Sequence, residues 1–96
     1  MKEEKKEYVM SSQLLRSGTS IGANVRESVN AQSKADFINK MNIALKEADE
    51  TQYWLELLHE SSFLSNHEFD SLNDDLGKIL GTLTKIIKSS KSNISS

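Results

Sequence analysis

The chain contains no cysteine and no proline in 96 residues. Without cysteine there are no disulfides and no thiolate metal sites, which is compatible with a reducing compartment. Without proline nothing removes a backbone donor from the middle of a helix, so long unbroken helices are favoured. A long hydrophobic run is missing too, and the lysine- and glutamate-rich start has no signal-peptide pattern, so the expected location is the cytoplasm, with no membrane partner. Charge of one sign is also in short supply. The net value is −2, with both signs interspersed, so no global field draws the protein onto nucleic acid and such binding needs a local patch. What remains is 36% hydrophobic and 27% charged residues, the balance of a folded all-α protein rather than a disordered one. One helical domain spanning residues 1–96, with a thin core, is the expectation.

The stretch RSGTSIGANVRE, Arg16 to Glu27, is unusual for a helix interior. Met10, Leu14, Ile21 and Val25 recur at steps of four and seven across it, yet Ser17, Gly18, Thr19, Ser20 and Gly22 are all weaker helix formers than alanine or leucine. Tertiary contacts must hold it helical. On a helical wheel Leu14, Gly18, Ile21, Val25 and Val29 share one side, while Arg16, Ser20, Ala23 and Glu27 lie roughly opposite, flanked by Asn24. The Gly18/Gly22 pair predicts a close helix crossing in the core. It is not a phosphate loop, because no Lys-Ser/Thr pair follows and no strand precedes.

Three helices are predicted, over about 4–29, 34–60 and 66–88, with a frayed serine-rich tail over 89–96. Ser33 to Asp36 and Ser65 to Glu68 both have the capping-box form that opens a helix. In the second helix Phe37, Met41, Ala44, Ala48, Thr51, Leu55 and Leu58 follow steps of four and three on one stripe, and Ile38, Leu45, Trp54 and Leu57 form a second side that needs another neighbour. Phe63 and Leu64, in the turn, are placed to plug the end of the core. Phe69, Leu72, Leu76, Ile79, Leu80, Leu83, Ile86 and Ile87 give the third helix its seam, where Gly77 and Gly81 repeat the glycine spacing. Lys85 and Lys88 sit where cations complement the dipole of a helix ending near residue 88.

Catalytic chemistry finds little support. His59-Glu60 and His67-Glu68 bracket a turn but lack the His-Glu-x-x-His or Glu-x-x-His spacing that sets ligands on one helical face. Asp49-Glu50 and Asp74-Asp75 are adjacent pairs whose side chains diverge. No serine has an organised histidine and acid partner. Tyr53 and Trp54 point about 100° apart on a helix and form no common base-stacking platform. No enzyme activity, cofactor, metal or small-molecule substrate is expected.

RSGTSIGANVRES, followed by AQSKADFINKMNIALKEADETQYWLELL and a closing apolar helix, resembles the bacterial family of 23S ribosomal RNA intervening-sequence proteins over about residues 8 to 88. The family pattern falls on Ser20, Ile21, Asn24 and Glu27, on Ser33 and Phe37, and on Glu50 and Leu55. The resemblance implies an antiparallel four-helix bundle that assembles into rings of five and is often encoded inside intervening sequences of large-subunit ribosomal RNA genes. A related branch serves diversity-generating retroelements as a basic pentamer binding nucleic acid and a reverse transcriptase. One departure stands out: the family's first amphipathic helix is not in this sequence. Three helices then expose an apolar face, for which a longer chain or a homo-oligomer is the remedy.

Two sets of candidate site residues follow. Arg16, Ser20, Asn24 and Glu27, with Trp54, are the candidate subunit contact. Arg16 and Glu27 are near 16 Å apart along the helix, too far to pair there, and free to pair between subunits. Arg26, Lys34 and Lys40 are the candidate nucleic-acid contact, which a ring would repeat into a multivalent rim. The functional reading is a self-assembling, non-catalytic protein associated with RNA. Its alternative is a protein-interaction scaffold, which suits the acidic balance and the pI of about 5.6; the basic retroelement role fits that charge poorly.

Overall fold

A computed structural model describes the backbone of residues 2–95 and the side chains of residues 4–92. It contains α1 (Lys2–Val29), α2 (Lys34–Glu60) and α3 (Asn66–Ser95), joined by two short turns, and no strand among the described residues. The helices run antiparallel in an all-α bundle. Both α1 and α3 lie against α2 but not against each other, so α2 is the spine of an elongated body measuring 55 × 22 × 15 Å.

The core follows the α2 stripe. Met41, Ala44, Ala48 and Leu55 meet Ile21 from α1 and Leu76, Leu83 and Ile87 from α3. Leu64 closes the end of this cluster, as its place in the turn implied. On α1 the buried face is rotated from the expected one. Val29 is 77% exposed, whereas Ser17 and Ser28 are buried. A serine can sit there because its hydroxyl bonds to its own helix, Ser17 to the Leu14 carbonyl at 3.2 Å and Ser28 to that of Val25 at 2.6 Å.

The close helix approach also lies elsewhere than expected. A Cβ added at Gly18, Gly22, Gly77 or Gly81 would meet no atom within 4 Å, so none of the four glycines admits a neighbouring backbone within this chain. The small residues that draw α1 onto α2 are Ser17, Ala44, Ala48 and Thr51, all buried. Helix α3 runs to Ser95 rather than to about 88, which leaves no basic residue in its last turn. Lys85 and Lys88 are therefore interior helix residues and not dipole caps. Of the tail expected to fray, Ser96 lies outside the described residues.

The caps explain the boundaries. Ser33 is extended and accepts from the Asp36 amide at 3.1 Å. Ser65 and Glu68 form the full reciprocal box: the Ser65 amide donates to Glu68 Oε1 at 2.9 Å and the Glu68 amide donates to Ser65 Oγ at 3.1 Å. At the end of α2 the Phe63 amide reaches the Leu58 carbonyl and the Ser62 amide that of His59, the pair of bonds that defines a Schellman ending. That ending puts Ser62 at φ 67°, a left-handed conformation that costs any residue with a Cβ about 1–2 kcal/mol. Ser62→Gly is expected to stabilise the protein by about 0.5–1 kcal/mol, raising Tm by about 4–8 °C per kcal/mol in a domain of this size. A thermal melt with unchanged or lower Tm would show that the turn pays no such penalty.

Candidate functional site

The candidate subunit residues gather along the rim where α1 meets α2. Arg16 pairs with Glu50 and lies 3.5 Å from Glu47, while its Nε donates to Gln13 at 2.9 Å. Glu47 Oε2 is buried and has the Arg16 guanidinium beside it without any hydrogen bond of proper geometry. Trp54, half-buried, donates its indole N–H to Glu50 at 3.4 Å and meets Tyr53 edge-on, with planes 74° apart. One turn along α1, the Asn24 amide donates to the Ser20 carbonyl at 2.8 Å. Glu27 pairs with Lys40 of α2 at 3.2 Å. Arg16 and Glu27, expected to be free for pairing between subunits, each have a partner on α2 of the same chain.

Beneath this rim lies a buried hydroxyl pair. Thr51 Oγ1 is 2.9 Å from Ser17 Oγ and donates at 2.7 Å toward the Glu47 carbonyl. At the turn, the His59 ring stacks on Phe69 at 4.3 Å and bonds to Asn66 at 2.7 Å, which gives it a structural task. Among the described residues no three His, Cys, Asp or Glu side chains converge as metal ligands.

The antiparallel order produces a charge separation that a reading along the chain conceals. The bonds Ser17–Thr51 and Gln52–Asn73 fix the register of the three helices, so a plane through Ala48 crosses α1 near residue 19 and α3 near residue 77. Residues 20–47 and 78–92 lie on one side and carry eight lysines and arginines against three carboxylates. The other half, residues 4–19 and 48–77, carries ten carboxylates against three cations among the described residues. Arg26 and Lys34, both exposed, and Lys40 all fall in the basic half. So do Lys85 and Lys88, exposed residues that α3 brings there and that the sequence reading assigned to helix capping.

The fold moves the titration of Glu68, at the acidic end. The Ser65 backbone amide and then its hydroxyl hold the carboxylate below the ordinary glutamate value of 4.5. A depressed acid pKa stabilises the fold above the unfolded value, and that contribution disappears as pH falls through the folded one. An NMR pH titration is expected to place the Glu68 midpoint below 4.5 and to raise it only part of the way back in Ser65→Ala, which removes the hydroxyl but keeps the backbone amide.

Between α1 and α3, over the core-facing stripe of α2, runs an open apolar groove of about 650 Å³. Leu14, Leu15, Ile21, Leu72, Leu76 and Ile79 supply most of its walls, with Leu55 and Thr51 at its floor. No helix among the described residues is long and apolar enough to cross a membrane.

Residues 1–85 match the family described as 23S rRNA-intervening sequence protein. The chain belongs to that family. A solved structure agrees with the membership: a protein of unknown function from the S23 ribosomal protein family of Bacteroides thetaiotaomicron VPI-5482 is 60% identical, with a TM-score of 0.84. The match covers 88% of this chain and 79% of that one. No curated protein matches this intervening-sequence protein.

Proposed function

We propose that this intervening-sequence protein is a non-catalytic, self-associating helical module that docks on RNA through its basic end. The observation carrying the reading is the gathering of eight cations against three carboxylates in one half of an otherwise acidic molecule. Phosphate attraction depends on local charge density, since salt screens fields beyond about 10 Å, so the acidic far half does not cancel it. Arg26, Lys34, Lys85 and Lys88 come from all three helices and converge because alternate helix ends meet. The family's name refers to 23S ribosomal RNA, which makes structured RNA the polyanion of choice. No base-reading platform accompanies the cations, so the recognition is of backbone and shape.

The test is fluorescence anisotropy of a labelled RNA hairpin titrated at several salt concentrations. Binding is expected to weaken steeply with salt, and Lys34→Glu/Lys85→Glu/Lys88→Glu should reduce affinity at least tenfold while flattening the salt slope by about one per lysine. Lys5→Glu/Lys6→Glu, in the acidic half, should change little. Equal losses from both variants, or no binding at low salt, would refute the reading. The open apolar groove favours a second reading, a protein-interaction scaffold, for which association insensitive to salt is the signature.

A further inference from the structure

The aromatic side chains and the cations of this protein are segregated. Tyr8, Tyr53, Trp54, Phe63 and Phe69 all belong to the acidic half, and the single aromatic residue of the basic half, Phe37, is partly buried against the core. A surface that holds an unpaired strand stacks bases on aromatic rings beside its cations. The basic half has no such ring to offer, so unstacked bases add nothing there and phosphates are the whole attraction. Phosphates are densest and most rigidly held on a paired helix, where each contact also releases more counterion than on a single strand.

The outward face of α3 supplies a matching array. Lys78, Thr82, Lys85 and Ser89 follow steps of three and four on the side opposite the buried Leu76, Leu83 and Ile87, with Gly81 and Lys88 beside them, and all six are exposed. Residues 76–92 contain four lysines and no carboxylate. The ion pair of Lys78 with Asp74 is 4.0 Å long between side chains 75% and 77% exposed, too weak to withhold the ammonium from a phosphate. Between the lysines the face carries nothing larger than threonine, and a Cβ at Gly81 would meet no atom within 4 Å, so a phosphate backbone can approach the helix closely. The Ser89 hydroxyl, one turn beyond Lys85, adds a donor for the same strand. We propose that this face of α3 is the principal RNA contact and that its ligand is a base-paired stem, bound through its phosphates, rather than an unpaired strand. The proposal rests on the basic-end reading above and deepens it by naming the form of the RNA and the face that meets it.

A blunt RNA duplex and an unpaired RNA of the same strand length, labelled alike, are titrated with the full chain at one low salt concentration and followed by anisotropy. The duplex is expected to bind about tenfold tighter. Gly81→Leu should raise Tm by about 3–6 °C, because leucine favours a helix over glycine and here meets open space. The same substitution should weaken duplex binding about fivefold, since its side chain holds the phosphates away from the lysines on either side. Ser89→Glu, an exposed change that leaves the core untouched, should weaken it to a similar degree by setting a carboxylate beside Lys85 and Lys88. No binding of either RNA would overturn the basic-end reading and this proposal together. Equal affinities, or tighter binding of the unpaired strand, would overturn the base-paired ligand and leave the basic end standing. Unchanged duplex affinity in either variant would overturn the α3 face as the contact.

Discussion

Leu55→Ala should cost about 3 kcal/mol, within the range of about 2–5 kcal/mol for truncating a buried leucine. Leu55 is 2% exposed in the middle of α2 and belongs to the cluster that receives α1 on one side and α3 on the other. Removing its isopropyl group takes contacts from both seams at once. The body is only 15 Å thick in its shortest dimension, so no second layer can collapse into the void. For a chain of this length the loss corresponds to a Tm drop of about 12–24 °C. Urea unfolding followed by circular dichroism measures it, and a loss below about 1 kcal/mol would show that the site relaxes freely. Tyr53→Ala, on the exposed face of the same helix, is the contrasting case and should fall within about 0.5 kcal/mol.

The second large effect is expected from the buried hydroxyls. Ser17 is fully buried and Thr51 nearly so; Ser17 donates to the Leu14 carbonyl, and Thr51 shares its one hydroxyl proton between Ser17 Oγ and the Glu47 carbonyl. Ser17→Ala removes one bond and deprives Thr51 of its cross-helix partner, at about 1–2 kcal/mol. Thr51→Val does the converse, with a similar loss. The double variant Ser17→Ala/Thr51→Val replaces both partners by apolar groups of nearly the same shape, so its cost should be smaller than the sum of the two single costs. The comparison by chemical denaturation requires all four proteins. Strict additivity would mean that the hydroxyls do not interact and that the seam is held by the neighbouring alanines alone.

The same pair shows where the sequence could be read and where it could not. Steps of three and four from Met41 to Leu58 identify the buried face of α2, because that face is continuously apolar apart from Thr51. On α1 the reading slips, since it counts Gly18 and Val29 as inward and gives Ser17 and Ser28 no place in the core. Hydropathy cannot rank a serine whose hydroxyl is satisfied by its own helix above a valine that faces open space. The capping serines were legible because their bonds are local, spanning three residues. The Schellman turn at Ser62 was not, as serine there carries no glycine signal. Family membership was legible from a conserved-looking string spanning two helices, and the match over residues 1–85 agrees. The basic end stayed hidden for a topological reason: Lys34 and Lys88 are 54 positions apart, and the antiparallel order of the helices brings them to the same end. Pairing Arg16 with α2 was equally beyond a reading confined to one helix.

The missing contact between α1 and α3 has a consequence for motion. In a closed ring of helices every opening breaks two seams, but here each outer helix is held by a single seam, on α2. Either one can therefore detach while the remaining hairpin stays assembled, so the molecule holds two partially open states of different energy below global unfolding. Amides of α2 exchange with solvent only when both seams have opened, whereas those of α1 and α3 report their own separate releases. The protein is two hairpins sharing one helix, and whatever lies in the groove locks both at once.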